Sequence, residues 1–323
     1  MGNRVDMMQP DPIDAHTQLV GLIGWPVEHS VSPAMHNAAF EELGLNWRYV
    51  PLPVPPGEIE AAIRGLGALS FRGANVTVPH KAAARVAMTR LFGPDAVAPD
   101  ATALGAVNTL VAERREEGEA EDKARFNGHN TDVGGFLGAL RNGGFRATGS
   151  AGVVVGAGGA ARAVVFGLLE AGAREIVVLN RTLERAKSLV SELSSVRGSA
   201  LSPAIQALPL TRETLLEAAR GAQLLVNATP VGMWPRVDGS IWPDQVPMPP
   251  DLTVFDLVYN PLETKLQRQV RASGAHAIDG LGMLVRQGAL AFDIWTGRDP
   301  PIQVMRRACE RSLRRQSSGR IDG

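Results

Sequence analysis

Short apolar runs alternate along this chain with longer segments whose apolar residues recur at helical spacing. In the first half, residues 18–23, 47–52, 73–78 and 106–112 read as strands, with helices expected over 33–43, 57–66 and 80–90. Ser32 stands where it would cap the first of these helices, and Pro33 suits that helix's first turn. Residues 113–125 are dense in charge and read as a solvated hairpin tip. A helix over 131–140 then leads into the second half.

There, Val153, Val154 and Val155 form an apolar strand that runs into Gly156-Ala157-Gly158-Gly159-Ala160-Ala161. This is a Gly-x-Gly-x-x-Ala turn opening a helix over 159–171, followed by a strand over 175–179. Gly156 permits the tight turn. Gly158 lets backbone N–H groups approach a pyrophosphate, and small Ala161 lets helix and strand pack closely. A chain selecting NAD carries an acidic residue after the second strand, for the ribose 2′-hydroxyl. Here Asn180 stands in that place, followed by Arg181, Thr182 and Arg185. Guanidiniums attract a 2′-phosphate that a carboxylate would repel, so the site reads as one for NADP(H). Beyond it come a helix over 181–193, a strand over 223–227, a Pro/Gly/Trp-rich loop over 230–250 and a strand over 253–257. Helices are expected over 261–273, 281–295 and 301–313. Alternation of strand and helix on both sides implies two α/β domains with largely parallel sheets and a cleft between them.

Composition narrows the function. The 323 residues include 33 Lys plus Arg and 33 Asp plus Glu, so the formal net charge is zero. That disfavours nucleic acid or an anionic membrane as the principal partner. No apolar run reaches membrane-spanning length, and no signal-like apolar segment stands among the first 18 residues. A cytoplasmic enzyme is expected. Cys309 is the one cysteine, which rules out an internal disulfide and a thiolate metal cluster. Arg306, Arg307 and Arg311 are its basic neighbours, but a packed position on a terminal helix is the simpler reading. His29 and His36 flank Ser30 and Ser32 without a third ligand at metal spacing, so no metal is expected.

Five polar signatures fall where strands end or helices begin. They are His29-Ser30-Val31-Ser32-Pro33, Asn75-Val76-Thr77-Val78-Pro79-His80-Lys81, Gly105-Ala106-Val107-Asn108-Thr109, Gly128-His129-Asn130-Thr131-Asp132 and Gly282-Met283-Leu284-Val285-Arg286-Gln287-Gly288. Polar groups at such ends converge on a cleft. Together with the glycine turn, Asn227-Ala228-Thr229-Pro230-Val231-Gly232-Met233 and Asp256-Leu257-Val258-Tyr259, they resemble the shikimate/quinate dehydrogenase family, in its order, from about residue 20 to 295.

That resemblance implies reversible reduction of 3-dehydroshikimate to shikimate with NADPH, a step of aromatic amino acid and chorismate biosynthesis. It assigns Ser30 and Ser32 to the substrate carboxylate, and Thr77, Asn108 and Gln287 to the ring hydroxyls. Neutral hydroxyls and amides suit a polyol, because each can donate and accept. Lys81 and Asp132 match the pair that moves the proton. Lys81 lies in a first helical turn, which disfavours a cation, while a neighbouring Asp132 favours one. Tyr259 and Met283 match residues beside substrate and nicotinamide, and Thr229 and Gly280 complete the cofactor set. His80 stands where the family is often aromatic, and reads as packing with a polar edge. A quinate or aminoshikimate dehydrogenase, or a non-catalytic NADP-binding sensor, remains as an alternative.

The expected organisation is a substrate-binding domain over 18–130, completed by helices over 281–315 that return to it. A Rossmann-like NADP-binding domain covers 131–280. Residues 1–17 and 316–323 read as flexible tails. Monomer and homodimer both fit.

Overall fold

The computed structural model describes residues 13–113, 125–196 and 204–318. The chain begins with β1 (Gln18–Gly24), α1 (Ser32–Glu42), β2 (Trp47–Pro53), α2 (Ile59–Ala68), β3 (Gly73–Val76) and α3 (Lys81–Phe92). Then come α4 (Pro99–Leu104), β4 (Thr109–Ala112), β5 (Phe126–His129) and α5 (Asp132–Asn142). The second sheet starts with β6 (Ala151–Val155), α6 (Gly159–Glu170), β7 (Glu175–Asn180), α7 (Leu183–Val196) and β8 (Ala204–Pro209). It continues through α8 (Arg212–Arg220), β9 (Leu224–Asn227), β10 (Thr253–Asp256), α9 (Lys265–Ala272) and β11 (His276–Asp279). Two long helices, α10 (Gly280–Thr296) and α11 (Ile302–Ser318), end the described chain.

The first sheet has the order β2-β1-β3-β4-β5 and the second β11-β10-β9-β6-β7-β8. All pairs in the second sheet are parallel. Its central strand β6 is buried along its whole length, as a parallel strand covered on both faces must be, and this explains the unbroken apolar run at Val153–Val155. The first sheet departs from the parallel expectation. β1 pairs in parallel with β2 and β3, but β4 runs antiparallel to both β3 and β5. Strands β4 and β5 have four residues each and are separated by the charged segment, so a direct antiparallel return needs no crossover helix. The hairpin tip expected there lies largely outside the described residues. At its base Glu113 N–H donates to the Arg125 carbonyl.

Several boundaries differ from the sequence pattern, each for a local reason. The strand expected from residue 106 starts at Thr109, because residues 105–108 form the turn leaving α4, with Gly105 left-handed. The helix expected from 261 starts at Lys265, where Thr264 and Gln267 form a reciprocal capping box. Ser32 does not cap α1. It is that helix's first residue, and the Ser30 hydroxyl accepts the Ser32 N–H at 3.2 Å instead. α11 runs on to Ser318, past the expected end at 313. At the other end, Asp14, Thr17 and Asn46 join side chains ahead of β1.

The last helices pack on the first-sheet elements. α11 lies against α1, and Trp295 Nε1 of α10 donates to the Leu110 carbonyl of β4 at 2.9 Å, while the other side of α10 rests on α5, whose Phe136, Ala139 and Leu140 belong to the second-sheet core. Val20, Met35, Phe40, Tyr49, Phe292, Trp295 and Met305 share one apolar core. Thus Cys309 is fully buried in that core, and burial pushes its thiol up to about 12 despite the neighbouring arginines. The close approach of α10 depends on α5. A Cβ on Gly135 would stand 2.8 Å from the Gln287 backbone nitrogen, so only glycine admits Gln287 here.

Candidate active site

One pocket of about 370 Å³ lies between the two sheets. Ser30, Ser32, Thr77, Lys81, Asn108 and Asp132 line it from the first-sheet side. Tyr259, Gly280, Met283, Gln287 and Ala160 line it from the other elements. Eleven residues singled out in the sequence, scattered over more than 250 positions, thus surround a single cavity.

At its floor, Lys81 Nζ donates to Asp132 Oδ2 at 2.5 Å. Lys81 is the first residue of α3 and Asp132 the first of α5. A carboxylate gains from the helix N-terminus and an ammonium loses, so the pair compensates the misplaced cation. Asp132 is held on every side. Its N–H donates to Asn130 Oδ1 at 3.0 Å, and its Oδ1 accepts from Asn108 Nδ2 at 2.9 Å. Such a pair, one quarter exposed at Lys81, can deliver one proton to a bound oxygen or take one back.

The amide of Asn108 is committed within the protein. Its Nδ2 donates to Asp132 and to Thr131 Oγ1, and its Oδ1 accepts from the Thr131 N–H at 2.8 Å. The Thr131 hydroxyl also reaches Gln287 Oε1 at 3.4 Å. Thr77 is half-buried at the end of β3, and Ser30 is half-buried beside buried Ser32. Burial raises the phenol of Tyr259 above its usual value, so it faces the pocket as a neutral donor.

The sequence reading gave no role to Asn75, which also lines the pocket. Its signal was available: an amide inside the fully buried strand Gly73–Val76 must find partners. It finds the Tyr49 hydroxyl and Thr109 Oγ1.

A second groove of about 640 Å³ runs along the glycine turn. Ala157, Gly158, Gly159 and Arg185 line it, and Lys81 borders both cavities. Gly156 has φ of +119°, and a Cβ there would meet the Ala228 carbonyl at 2.8 Å. Gly158 and Gly159 face open space at the start of α6, so backbone N–H groups are free to meet a phosphate. Asn180 Nδ2 folds back to the Thr182 carbonyl at 2.8 Å and braces the turn after β7. Arg181 and Arg185 are exposed and make no ion pair among the described residues. The Arg185 guanidinium on this groove fits a dinucleotide carrying an extra phosphate, whereas Arg181 and Thr182 lie outside its lining. Thr229 lies outside both cavities and bonds Asn227 Oδ1 at 2.7 Å.

Among the histidines, His80 is buried with Nε2 on the Val54 carbonyl at 2.7 Å, and His29 stacks edge-on against Trp234. Among the described residues no three His, Cys, Asp or Glu side chains gather to hold a metal. No helix among them is long and apolar enough to cross a membrane.

Comparison with known proteins agrees with this geometry. Residues 22–110 match the family model for the shikimate dehydrogenase substrate binding domain. Residues 141–226 match that for shikimate/quinate 5-dehydrogenase, and residues 280–310 that for the shikimate 5′-dehydrogenase C-terminal domain. The chain is 47% identical over 303 residues to the shikimate dehydrogenase (NADP⁺) of Methanopyrus kandleri, covering 94% of this chain and 98% of the relative. It superposes with a TM-score of 0.81 on a shikimate dehydrogenase crystallised with NADP⁺, at 39% identity, over 94% of this chain and 98% of that one. The enzyme of Thermus thermophilus, solved with NADP(H) and shikimate, gives a TM-score of 0.76 at 40% identity, over 91% and 99%.

Proposed function

The chain belongs to the shikimate dehydrogenase family, and on that premise we propose that it interconverts 3-dehydroshikimate and shikimate with NADP(H). The observation that carries the reading is the Lys81–Asp132 pair, 2.5 Å apart in a pocket whose other polar lining is hydroxyls and amides, with His29 beside them. A ketone becomes a secondary alcohol by gaining a hydride at carbon and a proton at oxygen. NADP(H), when bound, supplies or takes the hydride. The proton is the protein's task. In reduction the Lys81 ammonium gives a proton to the oxygen as negative charge develops there. In oxidation the Lys81 amine takes that proton back, and Asp132 keeps the side chain aimed and its charge balanced.

Ser30 and Ser32 donate to the substrate carboxylate near the N-terminus of α1, where an anion is favoured. Thr77 and Gln287 hold ring hydroxyls, and Asn108 contributes mainly by fixing Asp132. Met283, Gly280 and Ala160 form the wall where nicotinamide meets the substrate. Gly156 to Gly159 cradle the pyrophosphate, and Arg181 with Arg185 hold the 2′-phosphate. The two domains close on the cofactor and exclude water from the reacting atoms.

The test is absorbance at the NADPH band. Shikimate with NADP⁺ should give steady turnover, and quinate with NAD⁺ little. Turnover faster with quinate and NAD⁺ would overturn the assignment.

A further inference from the structure

The pocket is backed by a chain of hydrogen bonds that reaches the proton-transfer pair from the core. The Tyr49 hydroxyl donates to Asn75 Oδ1 at 2.9 Å. Asn75 Nδ2 donates to Thr109 Oγ1 at 3.1 Å, and the Thr109 hydroxyl donates to Asn108 Oδ1 at 3.0 Å. Asn108 Nδ2 then donates to Asp132 Oδ1 at 2.9 Å, and Lys81 holds the other carboxylate oxygen. All of these groups except Lys81 are buried. Every donor along this path points the same way, toward the carboxylate.

That direction is forced at the carboxylate end. A carboxylate only accepts, so Asn108 must present its NH₂ to Asp132 and its oxygen to Thr109. At the far end Tyr49 is 2% exposed, and burial holds its phenol well above the usual value, so it stays a donor. With Tyr49 donating to it, Asn75 turns its oxygen to Tyr49 and its NH₂ to Thr109. Thr109 has one proton, and the shorter of its two contacts directs it to Asn108 at 3.0 Å, with the Thr131 hydroxyl at 3.4 Å. Reversing the Asn108 amide would set its oxygen against the Asp132 carboxylate and its NH₂ against the Thr131 N–H.

We propose that Tyr49 and Thr109, neither of which lines the pocket, are positioning residues that orient the Asn108 amide and so aim Asp132 at Lys81. The proposal rests on the assignment of Lys81 and Asp132 to proton transfer. It predicts that side chains about two and four hydrogen bonds from the carboxylate change turnover without changing substrate capture. The Thr131 N–H also donates to Asn108 Oδ1, so loss of Thr109 weakens the orientation rather than abolishing it.

The experiment compares Thr109→Val, Thr109→Ser, Tyr49→Phe and Asp132→Asn, with thermal unfolding of each. Thr109→Val keeps the side-chain volume and removes the hydroxyl. It should lower kcat about five- to tenfold, the size of one lost hydrogen bond, with KM for shikimate within about twofold. Thr109→Ser should restore kcat to within about twofold of wild type. Tyr49→Phe, two hydrogen bonds further out, should show the same kcat-only signature at smaller size, about two- to threefold. It also stands as the independent arm if Thr109→Val does not fold. A folded Thr109→Val with wild-type kcat overturns the proposal. So does a Thr109→Ser as impaired as Thr109→Val. Asp132→Asn separates this failure from that of the underlying assignment. If Asp132→Asn is severely impaired while Thr109→Val and Tyr49→Phe are unaffected, the relay alone is wrong. If Asp132→Asn turns over normally, the proton-transfer assignment falls and the relay with it.

Discussion

Lys81 and Asp132 meet as the first residues of two helices, with Nζ and Oδ2 2.5 Å apart. Lys81 opens α3 in the first-sheet layer, whereas Asp132 opens α5, the helix that carries the chain toward the second sheet. The contact therefore ties the proton-transfer group to the element on which α10 and Gln287 also rest. Lys81→Ala should lower kcat by about 10²- to 10⁴-fold, the usual cost of a positioned acid–base group, with modest change in KM. Asp132→Asn keeps the shape and loses the charge, and should be severely impaired as well. The double variant should be little worse than the poorer single one, because the two act as a unit. Shikimate oxidation should rise toward alkaline pH, since the pair must take up a proton in that direction. A Lys81→Ala enzyme with near-normal kcat and a hundredfold higher KM would recast Lys81 as a binding residue.

Ser30 and Ser32 are expected to divide their labour. The half-buried Ser30 hydroxyl accepts the Ser32 N–H and remains accessible from the pocket, while Ser32 is buried against the Tyr49 hydroxyl. A carboxylate remote from the reacting carbon is held alike in ground and transition states, so Ser30→Ala should chiefly raise KM for shikimate. Steady-state kinetics on both alanine variants would check this. If neither changed KM, the carboxylate would have to bind elsewhere.

Cofactor choice should follow Arg181. With no ion pair to break, its guanidinium is available to a 2′-phosphate, and a charge-assisted contact contributes about 1.5–3 kcal/mol. Arg181→Asp should weaken NADP⁺ by about 10- to 100-fold while changing NAD⁺ far less. Titration of both dinucleotides decides it, and equal losses for the two would assign Arg181 to something other than the phosphate.

Much of this site could be read from the chain because its chemistry is local in sequence. The glycine turn is set by a single buried strand and a positive φ at Gly156, and both leave marks in consecutive residues. Ser30, Lys81 and Asp132 likewise announce themselves at element ends. What was hidden depends on partners distant in the chain. Nothing near Asn108 says that its amide is already saturated by Thr131, Thr109 and Asp132. Nothing near Ser32 says that Ser30, two residues earlier, takes over the turn. The strands β8 and β11 escaped notice because they sit at the sheet edges, half-exposed, and lack the continuous apolar run of β6. The antiparallel turn of β4 follows from which strand it meets, and four residues carry no record of that.

The seat of α10 gives a prediction in which two effects oppose each other. Alanine is a better helix former than glycine by about 1 kcal/mol, so Gly135→Ala on an open helix would stabilise. Here the new Cβ would stand 2.7 Å from the Gln287 Cβ and 2.8 Å from its backbone nitrogen. Backbone cannot swing aside as a side-chain tip can, and overpacking of this kind costs about 1–3 kcal/mol. The clash should win. Gly135→Ala should lower the urea midpoint and raise KM for shikimate, because Gln287 is displaced from the pocket. A variant more stable than wild type would show that α10 yields at no cost.

His36 predicts how stability depends on pH. The ring is fully buried, stacked 4.5 Å from Tyr49, and neither nitrogen has a partner among the described residues. Burial disfavours the imidazolium and holds the folded group at about 3, against the ordinary 6.5 of an unfolded histidine. The folded value is the lower of the two, so the unfolded chain binds the extra proton between them. Stability from the neutral ring is therefore complete above pH 6.5 and drains away as pH falls toward 3, by up to about 1.4 kcal/mol per pH unit. Burial also raises the carboxyl of Asp256, so His36 is not the sole source of pH dependence. Comparing wild type with His36→Phe removes their common contribution. Phenylalanine keeps a flat ring against Tyr49 and Phe292 and cannot take a proton. Between pH 7.5 and pH 5 the unfolding free energy of wild type should fall by about 2 kcal/mol relative to His36→Phe. Urea denaturation at the two pH values measures that difference. A gap between the proteins that stays constant with pH would mean that His36 is protonated in the folded state, or reaches water by a route its burial conceals.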